Sequence, residues 1–364
     1  METKSPLSEK IRSRISANGP IRFRDYMAMA LYDPEFGYYA SPTQRVGRQG
    51  DFITSVSVGR CFGLILARRL MAFWEESGKP EAFHIIEPGA HDGALGADIL
   101  EEIKRCSPDC YNAVHYHLVE VSRSLREAQQ ATLGPRFDGK FSCRTTLSEM
   151  GGLHGAVISN ELIDAFPVDL IRFENGGWVQ LLVHHEGDAG RPLRFISAEL
   201  QDRGLQSFCA SLGNQFPDGY TTEYSAGIGK FVSEAAAALE SGLFITIDYG
   251  HGSDDYYHPD RSEGTLQTYH QHRKSDNPLE FPGEIDITCH VDFTRLEKAA
   301  VSAGFKNPRL QTQASYLTNH ARDWLIGLES APGADDAALL RQFQTLTHPA
   351  MLGTRFLVLE MTRG

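Results

Sequence analysis

Residues 82–102, AFHIIEPGAHDGALGADILEE, decide how the rest of this sequence is interpreted. The apolar run at residues 83–86 predicts a buried strand that ends on Glu87. A turn containing Gly89 and Gly93 follows, and beyond it apolar residues recur at helical spacing: Leu95, Ile99, Leu100 and Ile103. A strand, a glycine turn and a helix in this order predict the first unit of a doubly wound α/β sheet. Ligands of such sheets bind outside the carboxyl ends of the strands.

The residue types in this turn indicate a polar ligand. A carboxylate at the position of Glu87 can accept hydrogen bonds from amine or hydroxyl groups, and glycines allow the backbone to approach a ligand closely. The pattern is not the dinucleotide fingerprint Gly-x-Gly-x-x-Gly, because His91 follows Ala90 where the middle glycine is expected. A glycine turn that only makes a tight connection is the alternative interpretation.

Polar residues also follow three later predicted strands at the same edge of the sheet. The alternating segment 115–121 ends on Glu120, where an acid is placed to bind ribose hydroxyls. A buried strand at residues 155–159 is followed by Asn160, Glu161 and Asp164, and a strand at 243–247 is followed by Asp248. A surface position for Glu120, or turn capping by Asn160 or Asp164 taken singly, is the alternative. As a set, these residues predict one polar crevice.

The remaining elements suggest how the chain is divided. Residues 1–80 are predicted to be mostly helical and to form an N-terminal cap, with a loop around Gly50 that folds over the ligand site. Residues 81–165 and 241–364 are predicted to form the Rossmann-like core. Residues 166–240, with a β-hairpin around 174–177 and a later helix, are predicted to be an inserted substrate region.

Composition excludes several classes of protein. The chain has 364 residues, 41% of them hydrophobic, and no apolar run long enough to span a membrane. Its net charge of −12, without a Lys/Arg-rich block, argues against a nucleic-acid binder. The six scattered cysteines are predicted to be buried, reduced thiols. Because the N-terminal segment lacks a signal-peptide core and carries Glu2 and Glu9, we expect a cytoplasmic protein.

Histidines in the polar segment 251–291 raise the question of a metal site. His270, His272 and His290 could act as ligands, but no cysteine partner and no His-Glu-x-x-His helix accompanies them. We therefore predict no metal site.

Several motifs occur together and in one order along nearly the whole chain. They are Leu31-Tyr32-Asp33-Pro34 with Gly37-Tyr38-Tyr39, Gly50-Asp51-Phe52-Ile53-Thr54, the turn from Glu87 to Gly93, His117-Leu118-Val119-Glu120-Val121-Ser122, Asn160-Glu161 with Asp164-Ala165-Phe166-Pro167-Val168, Asp248-Tyr249-Gly250, Gly264-Thr265-Leu266, and Asp286-Ile287-Thr288 with His290-Val291-Asp292-Phe293. On these motifs the chain resembles the MidA-like family of methyltransferases that use S-adenosylmethionine (SAM). The mitochondrial members of this family are complex I assembly factors that methylate arginine.

The resemblance implies a class I SAM-methyltransferase core of mixed sheet, with an N-terminal helical extension and an inserted substrate region. It implies SAM as cofactor and a protein as acceptor, and a subunit of a respiratory complex is one such acceptor. The residues expected to bind the cofactor are Asp51, Phe52, Thr54, Glu87, Gly89, Gly93, Glu120, Val121 and Asn160. The family usually has glycine at position 91, and a Pro-Glu pair followed by Gln where Val56-Ser57 and Arg60 stand. The histidine implies a rebuilt turn or altered contacts to the methionine part of the cofactor.

The candidate catalytic residues are Glu161, with Asp164 or Asp248 behind it. An arginine acceptor is cationic, so carboxylates must orient its guanidinium. Two other functions stay open at this point. A cofactor-binding or inactive assembly chaperone would fit the departures at His91 and Ser57. A nicotinamide oxidoreductase is disfavoured by the incomplete glycine fingerprint and the lack of a Tyr-x-x-x-Lys pair.

Overall fold

A computed structural model describes residues 5–40, 54–185, 192–270, 273–275, 277–330, 333 and 335–364. Its strands are β1 (Ile21–Arg22), β2 (Phe83–Pro88), β3 (Val114–Val119), β4 (Phe141–Arg144), β5 (Leu153–Asn160), β6 (Asp169–Glu174), β7 (Gly177–His184), β8 (Arg194–Ala198), β9 (Thr221–Tyr224), β10 (Leu239–His251), β11 (Gln267–His270), β12 (Arg273–Ser275), β13 (Asp286–Thr288), β14 (Val291–Asp292), β15 (Lys306–Thr312) and β16 (Phe356–Arg363).

The helices alternate with these strands. They are α1 (Pro6–Asn18), α2 (Phe23–Tyr32), α3 (Ser55–Val58), α4 (Cys61–Glu76), α5 (Ala94–Cys106), α6 (Pro108–Ala113), α7 (Arg123–Phe137), α8 (Arg203–Leu212), α9 (Gly227–Ala238), α10 (Ser253–Tyr256), α11 (Phe293–Ser302), α12 (Gln313–Ser330) and α13 (Asp336–Thr347). Short 3-10 turns lie at Tyr38–Ala40 and Leu147–Glu149. The N-cap of α1 is Ser5, whose hydroxyl accepts a hydrogen bond from the amide of Ser8.

Contacts divide the chain into two compact units. The first unit comprises Val46–Leu162, Phe231–Gly250 and Arg295–Gly364. Its sheet has the order β15-β16-β10-β5-β2-β3-β4, in which β10, β5, β2, β3 and β4 are parallel and β16 and β15 are antiparallel. This mixed, mainly parallel sheet confirms the predicted α/β class. Apolar side chains of α4, α5, α12 and α13 cover it.

Register places the predicted strand ends at one edge. On β2 and β3, Pro88 pairs with Val119, so Gly89 and Glu120 are the next residues on their strands. The amide of Gly89 extends this ladder with a 2.9 Å hydrogen bond to the Val119 carbonyl oxygen. On β5 and β10, Asn160 pairs with Ile247. The carboxyl ends of these parallel strands therefore lie together, as the sequence predicts.

A buried ion pair fastens helix α4 to the last strand of the sheet. The guanidinium of Arg69 donates from Nε to Glu360 Oε2 at 3.0 Å and from Nη2 to Oε1 at 3.0 Å. Tyr316 Oη on α12 donates to Glu360 Oε2 at 3.0 Å. All three residues are buried or nearly so, and the forked geometry satisfies the carboxylate on both oxygens. The pair fixes the positions of α4 and α12 on the same strand.

The second unit comprises Met1–Arg45, Ile163–Lys230 and His251–Thr294. It contains an antiparallel sheet of order β1-β7-β6-β9, with β8 on β7, and a small sheet of order β12-β11-β13. The predicted hairpin is formed by β6 and β7, in which Glu174 pairs with Gly177. Helices α1 and α2 pack on it through a core that includes Ile11, Phe23 and Met27.

The bounds of these units differ from the predicted ones at residues 46–80, 163–165, 231–240 and 251–294, and the two longer differences have a clear cause. Residues 46–80 were assigned to an N-terminal cap, yet they group with the sheet because α4 contributes its apolar face to the core over α5. Residues 251–294 were assigned to the Rossmann-like core, yet they group with the N-terminal helices because Ile285 and Ile287 pack into the core of α1 and α2. The contacts join the N-terminal helices and the inserted region in one unit.

A buried carboxylate organises the motif Gly264-Thr265-Leu266 in this second unit. Glu223 is 2% exposed, and its Oε1 accepts the amides of Thr265 at 2.7 Å and Leu266 at 2.9 Å. Its Oε2 accepts the hydroxyl of Tyr256 at 3.1 Å. Gly264 has φ +77°, and a Cβ on it would lie 2.3 Å from Glu223 Oε1. The position therefore requires glycine for both backbone angle and space.

We predict that Gly264→Ala lowers the free energy of unfolding by about 2 kcal/mol more than Gly213→Ala. Gly213 has φ +78° with no atom within 4 Å of an added Cβ, so it carries the same backbone strain without the collision. Urea denaturation of both variants measures the difference. Equal losses of stability would show that Glu223 does not hold the loop as described.

Candidate functional site at the carboxyl edge of the sheet

The turn after β2 brings backbone close to its neighbours at two glycines. Gly89 has φ +70°, and a Cβ on it would lie 2.7 Å from Leu162 Cδ1. Gly93 has φ +81°, and its Cβ would lie 2.6 Å from Leu133 Cδ1. Gly93 is also the N-cap of α5. Both positions have a backbone conformation that favours glycine, and an added Cβ would require the end of a leucine side chain to move, as a tight strand-to-helix connection requires.

His91 lies in the left-handed region, with φ +44°. An L-residue there costs about 1–2 kcal/mol, a cost that glycine would avoid. The turn keeps its shape because the His91 carbonyl oxygen accepts the side-chain amide of Gln129 at 2.7 Å. The His91 ring places Nδ1 3.6 Å from Asp92 Oδ1, which also caps α5 by accepting the Ala94 amide at 3.1 Å. His91 thus adopts a backbone conformation that is typical of glycine.

Glu87 is buried at the end of β2. It is 5% exposed, and Tyr116 Oη of β3 donates to its Oε2 at 2.8 Å. Burial raises the pKa of the Glu87 carboxyl to about 8, although the Tyr116 hydrogen bond opposes the shift. In the protein without ligand, the Glu87 carboxyl is thus mostly protonated near neutral pH. A ligand amine at this carboxylate would stabilise its charged form.

Glu120 and Val121 follow β3. Glu120 is 9% exposed, and its Oε1 accepts the amide of Ser122 at 2.9 Å. Burial raises the pKa of Glu120, while the Ser122 amide and the nearby His91 act in the opposite direction. Val121, the next residue, is 64% exposed. A buried acid next to an exposed apolar surface suits a ligand with hydroxyl groups and a flat apolar part.

The end of β5 contacts the segment that precedes α4. Asn160 Nδ2 donates to Glu161 Oε1 at 3.1 Å, and the amide of Ser55 donates to the same oxygen at 3.1 Å. Thr54 caps α3, its hydroxyl accepting the Ser57 amide at 3.1 Å. Asn160 Oδ1 is buried and accepts no hydrogen bond from the residues that the structure describes. An acceptor of this kind is available for a ligand N–H or O–H.

Glu161 and Asp248 are adjacent across the sheet. The amide of Glu161 donates to the carbonyl oxygen of Ile247 at 2.9 Å, and Asp248 follows directly on β10. Asp248 is fully buried and accepts the amide of Tyr249 at 2.8 Å. Glu161 has φ +48°, a conformation that non-glycine residues adopt mainly where the surrounding structure holds them, often at functional sites.

The sequence-predicted residues are thus partly brought together. Thr54, Glu87, Gly89, Gly93, Glu120, Val121, Asn160, Glu161 and Asp248 belong to the unit with the parallel sheet. Asp164 belongs to the other unit, where its carbonyl oxygen accepts the amide of Cys289 at 2.9 Å. Asp51 and Phe52 lie outside the described residues. The catalytic and binding roles of these residues stay predictions.

Three residues that contact the site were missed from the sequence. Tyr116 binds Glu87, Gln129 binds the His91 carbonyl, and the Ser55 amide binds Glu161. Tyr116 could have been found, because it stands four residues before Glu120 on a strand whose alternation was recognised. The contacts of Gln129 and Ser55 bridge distant parts of the sequence and leave no local signal.

Within the residues that the structure describes, no group of three or more His, Cys, Asp or Glu side chains is arranged to hold a metal ion. His272, one of the three candidate ligands, is outside that part of the chain. Over the same described residues, none of the helices has the length and apolar character needed to cross a bilayer.

Comparisons with known proteins agree with this geometry. The profile of a family of S-adenosyl-L-methionine-dependent methyltransferases matches residues 65–310. A relative from Burkholderia thailandensis, solved with bound S-adenosyl-homocysteine, is 31% identical with a TM-score of 0.86 over 98% of this chain and 92% of that chain. The protein arginine methyltransferase NDUFAF7 homolog, mitochondrial, of Drosophila melanogaster is 27% identical over 98% of this chain and 85% of its own length. The human protein arginine methyltransferase NDUFAF7, mitochondrial, is 26% identical over 97% of this chain and 82% of its own length.

These matches confirm the class I methyltransferase fold, the methyltransferase function and SAM as cofactor. They leave the nicotinamide oxidoreductase without support. The expected cytoplasmic location is contradicted, because the relatives from fly, zebrafish and human are labelled mitochondrial. The expectation depended on the residues of the N-terminal segment, which are weak evidence for location.

We predict that Glu87 makes the stability of the ligand-free protein fall as pH rises. Its folded pKa of about 8 exceeds its ordinary value of 4.5, so its stabilising contribution is present below pH 4.5 and is lost as pH passes through 8. Glu87→Gln removes this dependence and keeps an acceptor for Tyr116. The difference in melting temperature between Glu87→Gln and the parent should therefore grow from pH 5 to pH 8. A constant difference would contradict the buried, protonated carboxyl.

We predict that His91→Gly is more stable than His91→Ala by about 1 kcal/mol, because glycine adopts φ +44° without strain whereas alanine keeps the strain and loses the ring. Both variants lack the imidazole, so the difference between their free energies of unfolding reports the cost of the backbone conformation at position 91. Chemical denaturation of the two proteins measures it. Alanine equal to or more stable than glycine would show that position 91 is not held in the left-handed conformation.

Proposed function

The chain belongs to the family of S-adenosyl-L-methionine-dependent methyltransferases, and on that premise we propose that it transfers the methyl group to an arginine side chain of a protein. The observation that carries the proposal is the pair of acidic residues Glu161 and Asp248, which lie on adjacent strand ends of the first unit. The names of the relatives from fly, zebrafish and human as protein arginine methyltransferases support it. The resemblance further points to a respiratory-complex subunit as acceptor.

The residues around the turn fit the cofactor. SAM carries an amine, two ribose hydroxyls and a flat base, and it supplies an electrophilic methyl group on a sulfonium. We assign Glu120 to the ribose hydroxyls and exposed Val121 to the apolar face of the base. Asn160 Oδ1, buried and without a partner among the described residues, is assigned to a donor of the cofactor. Gly89 and Gly93 allow the backbone to approach it, and Asp51, Phe52 and Thr54 are proposed to complete the site.

The carboxylates are proposed to orient the acceptor. A guanidinium has a pKa above 12 and enters the site charged, so it needs carboxylates in a fixed, forked arrangement. Glu161 is fixed by two donors, the Ser55 amide and the Asn160 amide group, both on Oε1. Its strained backbone is consistent with a position kept for function. Asp248 behind it adds negative charge that favours the cation, and Asp164 is retained as a further candidate.

We predict that Glu161→Gln lowers the methyl-transfer rate by about a hundredfold or more, because loss of the charge misplaces the cationic acceptor. Cofactor affinity should change little, since the glutamine keeps an oxygen to accept the Ser55 amide. Calorimetric titration with SAM and a steady-state transfer assay separate the two effects. Glu127→Gln, at an exposed position of α7, is the matched control. A transfer rate equal to that of the control would remove Glu161 from the mechanism.

The acceptor class is tested by incubating the protein with methyl-labelled SAM and the proteins of its own organism. Label on arginine of one protein, located by mass spectrometry, is the expected result. Label on lysine or on a small molecule would replace the arginine assignment. Partner capture without any label, by a protein that binds SAM, would favour the assembly-chaperone alternative.

A further inference from the structure

Two imidazole nitrogens in the second unit are buried and have no hydrogen-bond partner among the described residues. They are Nε2 of His251, the last residue of β10, and Nδ1 of His290, which lies between β13 and β14. The two rings are 5.0 Å apart between centroids. A buried polar nitrogen without a partner costs about 1–3 kcal/mol, and a bound group that contacts both nitrogens would remove that cost.

The backbone that carries His290 is held firmly. The His290 amide donates to Thr265 Oγ1 at 3.0 Å, and the Thr265 amide and hydroxyl donate to the buried carboxylate of Glu223 at 2.7 and 3.2 Å. Tyr256 also donates to Glu223. The backbone of His290 is thus fixed by hydrogen bonds, whereas its ring Nδ1 has no partner among the described residues. This arrangement favours a role in binding a ligand over a role in stability.

The charge of Arg261 contributes to lowering the pKa of both imidazoles. Arg261 lies in the turn that leads to Thr265, and its carbonyl oxygen accepts the Gly264 amide at 3.0 Å. Its Nε donates to the carbonyl oxygen of Asp255 at 2.8 Å, and within the described residues no carboxylate lies within 4.0 Å of its guanidinium. The site thus has a positive charge that the described residues leave without a carboxylate partner.

Burial and charge keep the rings neutral. Burial, His251 and Arg261 together lower the pKa of His290 to about 4. Burial and Arg261 lower the pKa of His251, and Asp255 acts in the opposite direction. Two neutral imidazoles can each donate one N–H, and the guanidinium adds a fork of donors. Donors beside a cation select an anionic ligand with oxygen acceptors, and a second cation would be repelled.

We propose that His251, His290 and Arg261 form a binding site for an oxyanion, and that its ligand is the carboxylate of an acidic residue on the acceptor protein. The assignment of the carboxylate to an acceptor rests on the function proposed above. His251 ends the strand that also carries Asp248, three residues earlier in the sequence.

The site is tested first without cofactor or acceptor, on the full chain labelled with nitrogen-15 in histidine. Malonate and sulfate are titrated against it, with chloride at equal ionic strength as the reference, while imidazole resonances are followed. We expect the His251 and His290 resonances, assigned with His251→Gln and His290→Gln, to shift with malonate. Arg261→Gln should weaken malonate binding about tenfold, and Arg261→Lys should restore part of it.

Arg203→Gln, on the exposed start of α8 in the same unit, is the matched control, and both arginine changes avoid the buried residues. Resonances that stay unmoved by malonate and by sulfate would overturn the site. Shifts with sulfate alone would overturn the carboxylate assignment in favour of a phosphate-type ligand. Equal malonate affinities of Arg261→Gln and Arg203→Gln would show that Arg261 does not belong to the oxyanion site.

The role toward the acceptor is tested separately. Once an acceptor is labelled, Arg261→Gln should raise its KM about tenfold with little change in kcat, and SAM affinity should be unchanged. An unchanged KM would overturn the acceptor role. If malonate binds but no arginine is ever labelled, the anion site stands and the proposed function falls, so the two failures are distinguishable.

Discussion

Parallel pairing of β2 with β3 and β5, and of β5 with β10, is the constraint on which the site depends. This pairing aligns the ends of four strands, so that Gly89, Glu120, Asn160 and Asp248 reach one edge although they are up to 159 positions apart in the sequence. Helices α4, α5, α12 and α13 secure the sheet, and the Arg69–Glu360 pair ties α4 to its last strand. Without that register the same acids would be isolated surface groups.

Several features at the carboxyl edge of the sheet lower the stability of the fold, and packing in the rest of the sheet offsets their cost in free energy. Glu87 is buried with a raised pKa, and His91 and Glu161 have positive φ. Each feature costs about 1–3 kcal/mol or more in the absence of ligand. Together they describe an edge shaped for a bound molecule with hydrogen-bond donors. A cofactor that carries an amine and two hydroxyls supplies those donors, in agreement with the family to which the chain belongs.

The sequence predicts much of this because the relevant signals are local. Alternation over 115–121 predicted β3, and helical spacing after Gly93 predicted α5, since both patterns follow directly from backbone periodicity. The partner of Glu161, the Ser55 amide, was not predictable, because that contact joins positions 106 apart. Helix α12 was missed, since its buried residues are spaced among Asn, His, Arg and Asp. The grouping of residues 251–294 with the N-terminal helices had no sequence signal, because Ile285 and Ile287 lie in a polar segment yet pack on α1 and α2.

The central claim is that one cofactor binds at the carboxyl edge, against the backbone of the glycine turn. Calorimetric titration of S-adenosyl-homocysteine against the parent, Gly89→Ala and Gly152→Ala tests it most directly. Gly152 has φ +67° with open space around an added Cβ, whereas at Gly89, φ +70°, the Cβ would meet Leu162. The account predicts one site per chain in the parent and in Gly152→Ala, and at least a tenfold loss of affinity in Gly89→Ala, a difference of about 1.4 kcal/mol. Equal affinities in all three proteins, or no binding to the parent, would contradict it.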